Sequence, residues 1–287
     1  MKQNHNSADN QWTKVYTSRP GIDFACITDV FKYKFLISEL IKKNVRSVYT
    51  QTLLGPFWLI AQPVLTSLMF VLVFQKVISL PIQGRSAFVF YSSGVVLWGY
   101  FAKSVNSLSY TFLSNYTLFS RLSFPKLVIP VADVAGNFFK FTLQYSLLLV
   151  LYLLLVNDHS QLFSPAALFC FLAAILMVSA FAVGIGLTTA SLSLSYRDLG
   201  IIVGYGINLL FYATPILYSV SRVPSKYRIF FQLNPIAIAI DIFRYPMSGT
   251  LNVTGTMVAS GFAVALVCCI TGLVLFTISQ RTCVDKI

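Results

Sequence analysis

Few residues in this chain have side chains suited to catalysis. Of 287 residues only 9 are Asp or Glu and 2 are His. Glu39 is the one glutamate, and His5 and His159 stand far apart. No run of His, Cys, Asp and Glu has metal-ligand spacing. A Ser-His-Asp arrangement would have to draw on His5, in a polar tail, or on His159, in a short polar stretch between apolar runs. No Gly-Lys dipeptide occurs, so there is no phosphate-cradling loop of the G-x-x-x-x-G-K-[ST] type. Cys26, Cys170, Cys268, Cys269 and Cys283 form no C-x-x-C pair and fall mostly in apolar runs, where a thiol acts as small hydrophobic filler. These absences point away from an enzyme, with no cofactor and no metal expected in this chain, and toward a pathway, pore or scaffold. Work driven by ATP would need hydrolysis, with its ATP and Mg, in another chain.

The polar residues worth singling out interrupt apolar runs. Asp133, Asn137 and Lys140 follow i, i+4, i+7 spacing and share one helical face. A charge at mid-bilayer costs at least ~2.5 kcal/mol, so such residues face protein, water or the interface. Local pairing and a polar lining of a path both fit them. Gly184 and Gly186, followed by Thr188, Thr189, Ser191, Ser193 and Ser195, suit close helix packing or a hydroxyl-lined path. Aromatic residues make up 15% of the chain, and most serve interfacial belts. Tyr91, Trp98 and Tyr100, with Asn137 and Lys140, are the candidates for a path, because aromatic faces stack on sugar rings. Arg222, Lys226, Arg228 and Arg244 are candidates to meet an anionic group at an outer face, or else form a solvated rim.

The elements that must carry these residues are membrane elements. The chain is 56% hydrophobic and 10% charged, with mean hydropathy +0.74. Soluble domains carry roughly 25% charge. The expected fold is all-α: six transmembrane helices, an N-terminal amphipathic interfacial helix, and a re-entrant outer hairpin between helices 5 and 6. The spans fall at about 55–77, 86–108 (interrupted by Lys103), 132–156, 166–192, 200–220 and 256–279, each long enough for a ~30 Å hydrocarbon core. Residues 1–27 read as a polar tail without a signal peptide, 28–54 as the interfacial helix, 55–280 as the six-helix domain and 281–287 as a second tail. In the interfacial helix Ile37, Leu40, Ile41, Val45 and Val48 share a face, and Glu39 precedes Lys43 by four residues, the favourable order for an ion pair. Between Ser47 and Gln75 no charged residue occurs. The joint from surface helix to first span therefore lies near Arg46, Tyr49, Gly55, Pro56 and Trp58.

The net charge of +12 would suggest nucleic acid in a soluble protein. Here the cations flank apolar runs, which assigns them to topology and anionic lipid. Lys and Arg are about twice as frequent on the side of the N-terminal tail as on the other side, which places both termini in the cytoplasm. In the 221–252 loop the run from Ile229 to Ile240 is uncharged but too short to span. It reads as a hairpin broken at Asn234-Pro235, with Phe230 and Phe231 at an outer gate beside Arg244.

The ordered set Tyr49, Thr52, Leu54, Gly55, Trp58, Gln62, Pro63 resembles the start of the membrane subunit of ABC-2 type exporters, particularly those of bacterial surface polysaccharides such as O-antigen. Thr52 stands where that family has Ser. Further matches follow in order: Gly94 and Trp98; Asn115 and Leu118; Phe124-Pro125-Lys126 and Pro130, with Lys126 for an Arg; Tyr196-Arg197-Asp198-Leu199; Thr214-Pro215-Ile216 and Tyr218; Asn234-Pro235 and Arg244. The resemblance covers about residues 30–280. It implies a homodimer in the bacterial inner membrane, each protomer bound to a cytoplasmic ABC ATPase subunit, moving polysaccharide linked to undecaprenyl diphosphate. It also implies ATPase coupling through Arg121, Phe124, Pro125, Lys126, Tyr196, Arg197 and Asp198. Two alternatives stay open: an ABC-2 permease for capsule, teichoic acid, drug or another lipid, and an ATP-independent membrane transporter.

Overall fold

The computed structural model describes residues 30–49, 57–79, 86–121, 124–157, 161–219, 231 and 233–286, and among these residues it is helical with no strand. A short 3-10 turn, Phe31–Tyr33, opens into α1, Lys34–Tyr49. The first apolar run forms α2, Phe57–Phe70, and continues as π-helix over Val71–Val77. Next come α3, Ala87–Ser109, and two short pieces, α4 at Thr111–Ser114 and α5 at Tyr116–Arg121. The long helices α6, Val128–Leu155, and α7, Pro165–Ser193, follow. The described chain ends with α8, Leu199–Ala213, α9, Pro235–Ser248, and α10, Gly255–Lys286.

Among the described residues four helical stretches are long and apolar enough to cross a membrane: Phe57–Val77, Val128–Leu155, Pro165–Ser193 and Gly255–Gln280. They coincide with the first, third, fourth and sixth expected spans. The second expected span is α3. Its 23 residues reach about 35 Å at 1.5 Å per residue, but Ser92, Ser93, Lys103, Ser104 and Asn106 lower its hydropathy. A helix enclosed by other helices can carry such residues, and Tyr91, Leu97, Phe101 and Val105 of α3 are fully buried. The fifth expected span is interrupted. Helix α8 has 15 residues and ends at Thr214-Pro215, because proline supplies no N–H to continue the ladder.

Of the run expected to form the hairpin, Phe231 and residues 233–240 are described, and from Pro235 onward the run is the start of α9. Asn234 caps it, its side-chain oxygen accepting from the N–H groups of Ile236 (3.0 Å) and Ala237 (3.4 Å), and Pro235 takes the first turn. Gly249 ends it at φ 71°, a left-handed conformation that glycine adopts without penalty. Most of α9 is buried against α7, α3 and α10. Residues 220–230, with Arg222, Lys226, Arg228 and Phe230, lie outside the described residues, as does residue 232.

Packing rather than water-driven collapse holds such a bundle together. Helices α7 and α10 approach closest, at paired glycines: a Cβ on Gly184 would fall 2.4 Å from the backbone of Cys268, and one on Gly272 would fall 2.5 Å from the carbonyl oxygen of Gly184. The hydroxyls beside them turn back on their own helix, Thr188 to Gly184 O, Thr189 to Ile185 O and Ser191 to Leu187 O. Of the two readings of this stretch, close packing is the one the geometry matches. Outward-facing Leu65, Leu68, Leu168, Phe169, Leu176 and Val267 leave the exterior apolar, as contact with acyl chains requires.

Helix α1 does not lie free on a surface. Leu36, Ile37 and Leu40 pack with Leu108, Phe112, Phe119, Val128 and Phe276 in one cluster, while Phe31 and Phe35 are exposed. Asn44 of α1 donates to Asp133 of α6 at 2.6 Å. The expected pairing of Glu39 with Lys43 is replaced by Lys42, which donates to Glu39 at 2.8 Å with i, i+3 spacing. Both spacings bring side chains together on a helix, and here Lys43 lies instead within Coulombic reach of Asp133.

Candidate functional site

Three groups of residues stand out, and the motif residues at the α9 end assemble into one of them. Helix α8 stops at Thr214, which leaves carbonyls of the next residues without helical partners. Arg244 of α9 supplies them: Nη1 donates to Pro215 O and Nη2 to Ile216 O, each at 2.8 Å. Nε reaches the Ser93 hydroxyl of α3 at 3.4 Å, and the guanidinium carbon sits 3.7 Å from the Phe90 ring centroid. The planar fork matches two adjacent acceptors while its face stacks on an aromatic ring. Gly94 leaves room for it, since a Cβ there would lie 2.6 Å from Nη2. Arg244 is 6% exposed, so it forms no solvated rim. One turn earlier, Asp241 accepts from the backbone N–H of Asn252 (2.8 Å) and from its side-chain amide (2.9 Å), pinning the link between α9 and α10. Asn234 Nδ2 lies 3.5 Å from the Thr214 hydroxyl, and Tyr218 meets Phe231 edge-on at 6.1 Å. Of the outer-gate set, Phe231, Asn234, Pro235 and Arg244 are thus gathered around the break in α8, and Phe230 lies outside the described residues.

The second group is a groove of about 320 Å³ in which several polar side chains stand in a largely apolar lining, walled by α2, α3, α6 and α8. Gln62, Thr66, Lys103, Asn208 and Tyr212 face it together with Trp98 and Gln144. Gln144 is buried and spends its N–H on Leu59 O at 2.8 Å, fixing α6 against α2. Trp98 packs edge-on to Phe211 at 5.6 Å, which holds the indole in the groove wall. Of the expected path residues, only Trp98 lines this groove. Tyr91 is fully buried among Phe70, Phe74 and Phe90. Tyr100 shares a 2.8 Å hydrogen bond with Ser179 and lines a separate apolar cleft of about 400 Å³. Asn137 donates to Ser107 at 3.0 Å, between α6 and α3. Lys140 is part-buried, within Coulombic reach of both Asp133 and Lys103. In the sequence Gln62 stands out only as a position of the family pattern, Gln144 and Asn208 are passed over, and Lys103 reads as an interruption of a span. Their signal was a polar group inside an apolar run, the same signal that drew attention to Asn137.

The third group lies at the end of the bundle that carries α1. Phe112 stacks on Phe276 at 4.6 Å, and Phe119 links Phe112 (5.8 Å) to Phe124 (5.9 Å). Lys126 donates to the backbone carbonyl of Gln280 in α10 and lies 5.9 Å from the Phe119 ring centroid. The 111–127 segment is therefore tied to α1 on one side and to α10 on the other. Tyr196, Arg197 and Asp198 form an exposed turn between α7 and α8, with Tyr196 69% exposed. The turn is seated by Gly200, where a Cβ would fall 2.8 Å from the Tyr110 ring. Arg46 is exposed near the end of α1, Tyr49 ends that helix and Trp58 is 51% exposed at the start of α2. Gly55 and Pro56 lie outside the described residues, and Arg121 is the last residue of α5. Among the described residues no cluster of His, Cys, Asp and Glu could hold a metal ion.

Residues 36–248 match the family model of the ABC-2 type transporter. The chain is 28% identical over 225 residues to an O-antigen export system permease protein RfbA of Klebsiella pneumoniae, covering 76% of this chain and 82% of that protein. It is 27% identical over 215 residues to a protein of the same name from Myxococcus xanthus, covering 73% and 79%.

Proposed function

This chain belongs to the ABC-2 type transporter family, and from that premise we propose that it is the membrane-spanning permease of an ATP-driven exporter of lipid-linked surface polysaccharide. Two copies form the path, the polar groove on each protomer faces it, and a separate cytoplasmic ABC ATPase supplies the energy. The cargo is an O-antigen-type glycan on undecaprenyl diphosphate, and the membrane is the bacterial inner membrane with both termini inside. Helix α3 and the broken α8 complete six passes, with α9 as the inner limb of a re-entrant element.

The observation that carries the reading is the groove. Exposed amide and phenol groups, with a part-buried ammonium, are costly against lipid on an apolar bundle, and are retained where they face water or a polar cargo. Tyr212, 69% exposed, supplies a ring face beside them, the pairing that sugars favour, and the buried Trp98 forms the wall behind. The exposed Tyr196–Asp198 turn and the segment braced by Lys126 form the cytoplasmic surface on which the ATPase docks.

Complementation tests this. The chain and its ATPase are expressed in a host deleted for its own O-antigen permease, and surface polysaccharide is read by whole-cell antibody binding. The expected result is restored display with the wild type, a several-fold loss with Trp98→Ala, and none without the ATPase. Full display by Trp98→Ala combined with Gln62→Ala, or display without any ATPase, overturns the reading.

A further inference from the structure

Helices α6 and α7 follow one another in the chain, and each packs along α3 or α10, yet they scarcely touch each other. The gap between them is the apolar cleft of about 400 Å³, in the half of the bundle that carries α1. Pro130, Val134 and Phe138 of α6 form one wall and Val183 of α7 the other, with Leu273 contributed by α10. The side-chain polar groups in the lining are the Tyr100 and Ser179 hydroxyls, and they bond each other at 2.8 Å. Water would find few partners there, and an empty cavity forfeits the dispersion contacts of its whole lining. The cleft is also deep. Val131 and Phe138 are exposed at its mouth, whereas Leu127 and Leu187 inside it are buried.

The occupant must be apolar and must enter from the side. On α7 the exposed Leu176 continues the stripe of Ser179 and Val183 at i, i+3, i+7. The lining therefore runs without a break into the surface that faces acyl chains. It shares no residue with the polar groove. Its volume is close to that of a single helical turn, given a diameter of about 10–12 Å and a pitch of about 5.4 Å, so it admits a flexible chain but not another helix. We propose that this cleft binds one acyl chain of a bilayer phospholipid, drawn from the leaflet on the α1 side. The chain wedges between α6 and α7. Leu127 and Leu187, with Val134, Val183 and Leu273, belong to the cluster around Phe112 and Phe276 that also takes up α1. The lipid thus completes a protein cluster as well as coating the bundle. This needs only the chain's place in a membrane and stands whatever the cargo.

Labelling from within the lipid tests it. The full chain is placed in nanodiscs of phosphatidylethanolamine in which a fraction of the acyl chains carries a photoactivatable diazirine, and labelled residues are mapped by peptide mass spectrometry. Leu127 and Leu187, although buried by protein, are expected to be labelled alongside the exposed Leu168. Val183→Phe fills the cleft and should lower labelling of Leu127 and Leu187 several-fold, with Leu168 unchanged. Ala135→Phe, from the α6 wall, should do the same. A monodisperse size-exclusion peak shows that a variant is folded, and if neither folds the wild-type pattern alone decides. No label at Leu127 and Leu187 means that protein rather than lipid covers the cleft, and overturns the proposal. So does label that a folded filling variant leaves unchanged. Loss of label at these two residues, but not at Leu168, on adding a minor fraction of undecaprenyl phosphate would assign the cleft to an isoprenoid chain and overturn the phospholipid assignment.

Discussion

Arg244 does for the end of α8 what another turn of helix would have done. Its two 2.8 Å hydrogen bonds satisfy the Pro215 and Ile216 carbonyls, which helix termination leaves without partners in a buried setting. Removing the guanidinium would leave buried acceptors bare, at about 1–3 kcal/mol apiece. Arg244→Ala is therefore expected to lose about 2–5 kcal/mol, seen as a lower midpoint in fluorescence-detected size-exclusion melting. Arg244→Lys keeps the charge without the fork and should fall between the two. Gly94→Val should resemble Arg244→Ala, and the double variant should lose less than the sum, because both act on one contact. Wild-type melting of Arg244→Ala would refute the assignment. The sequence marked Gly94, Thr214-Pro215-Ile216, Asn234-Pro235 and Arg244 as separate stations along the chain. That they converge depends on where α8 breaks and on how α9 folds back, and no local pattern encodes either. An arginine in a loop is ordinarily solvated, which made a rim position attractive for Arg244, and its 6% exposure overturns that reading at this residue.

At the scale of elements, four of the apolar runs announced long helices because each had the length a bilayer demands, and the close packing of α7 was legible in Gly184, which meets α10, and in Gly186, which meets Leu108 of α3. What periodicity could not supply was the partner of each face. Helix α1 has an amphipathic pattern that suits lipid, yet Leu36, Ile37 and Leu40 are taken up by the cluster around Phe112 and Phe276. The same cluster holds the 111–127 segment against α10, so motion imposed on that segment reaches α1, α6 and α10 together. Replacing Lys126 by Ala together with Pro125 by Ala should leave insertion intact and let the partner's ATPase run without export, because the tie to Gln280 and the rigid turn are lost together. Vesicle ATP hydrolysis and surface display, measured on one preparation, check this. Unchanged export and co-purification would rule the segment out as the coupling element. Gly184→Leu makes a contrasting test. A side chain that meets the Cys268 backbone must part the two helices, at a cost of about 3 kcal/mol or more, and should lower folded yield before it touches coupling.

At the scale of the whole molecule, the exterior is not uniformly lipid-like. Leu65, Leu68, Leu168, Leu176 and Val267 suit acyl chains, whereas Gln62, Asn106, Asn208 and Tyr212 are exposed on the α2, α3 and α8 side around the groove. Each exposed amide facing hydrocarbon costs free energy that a partner surface or a water-filled path would spare. Two protomers with these sides turned toward one another would enclose both grooves, giving one path of twice the width with a Lys103 on each wall. The arrangement is isologous, so a given residue lies near its own copy across the two-fold axis. Asn208→Cys, in a background with all five native cysteines changed to Ser, should therefore cross-link to a dimer with a short bifunctional maleimide in intact membranes. Leu168→Cys on the lipid-facing side of α7 should not. Swapped behaviour of the two positions would place the second copy on the α7 side and turn the groove toward lipid. It would then remove the reason for treating the polar groove as the path, because a conduit that opens only to acyl chains has no use for four exposed polar side chains and a lysine.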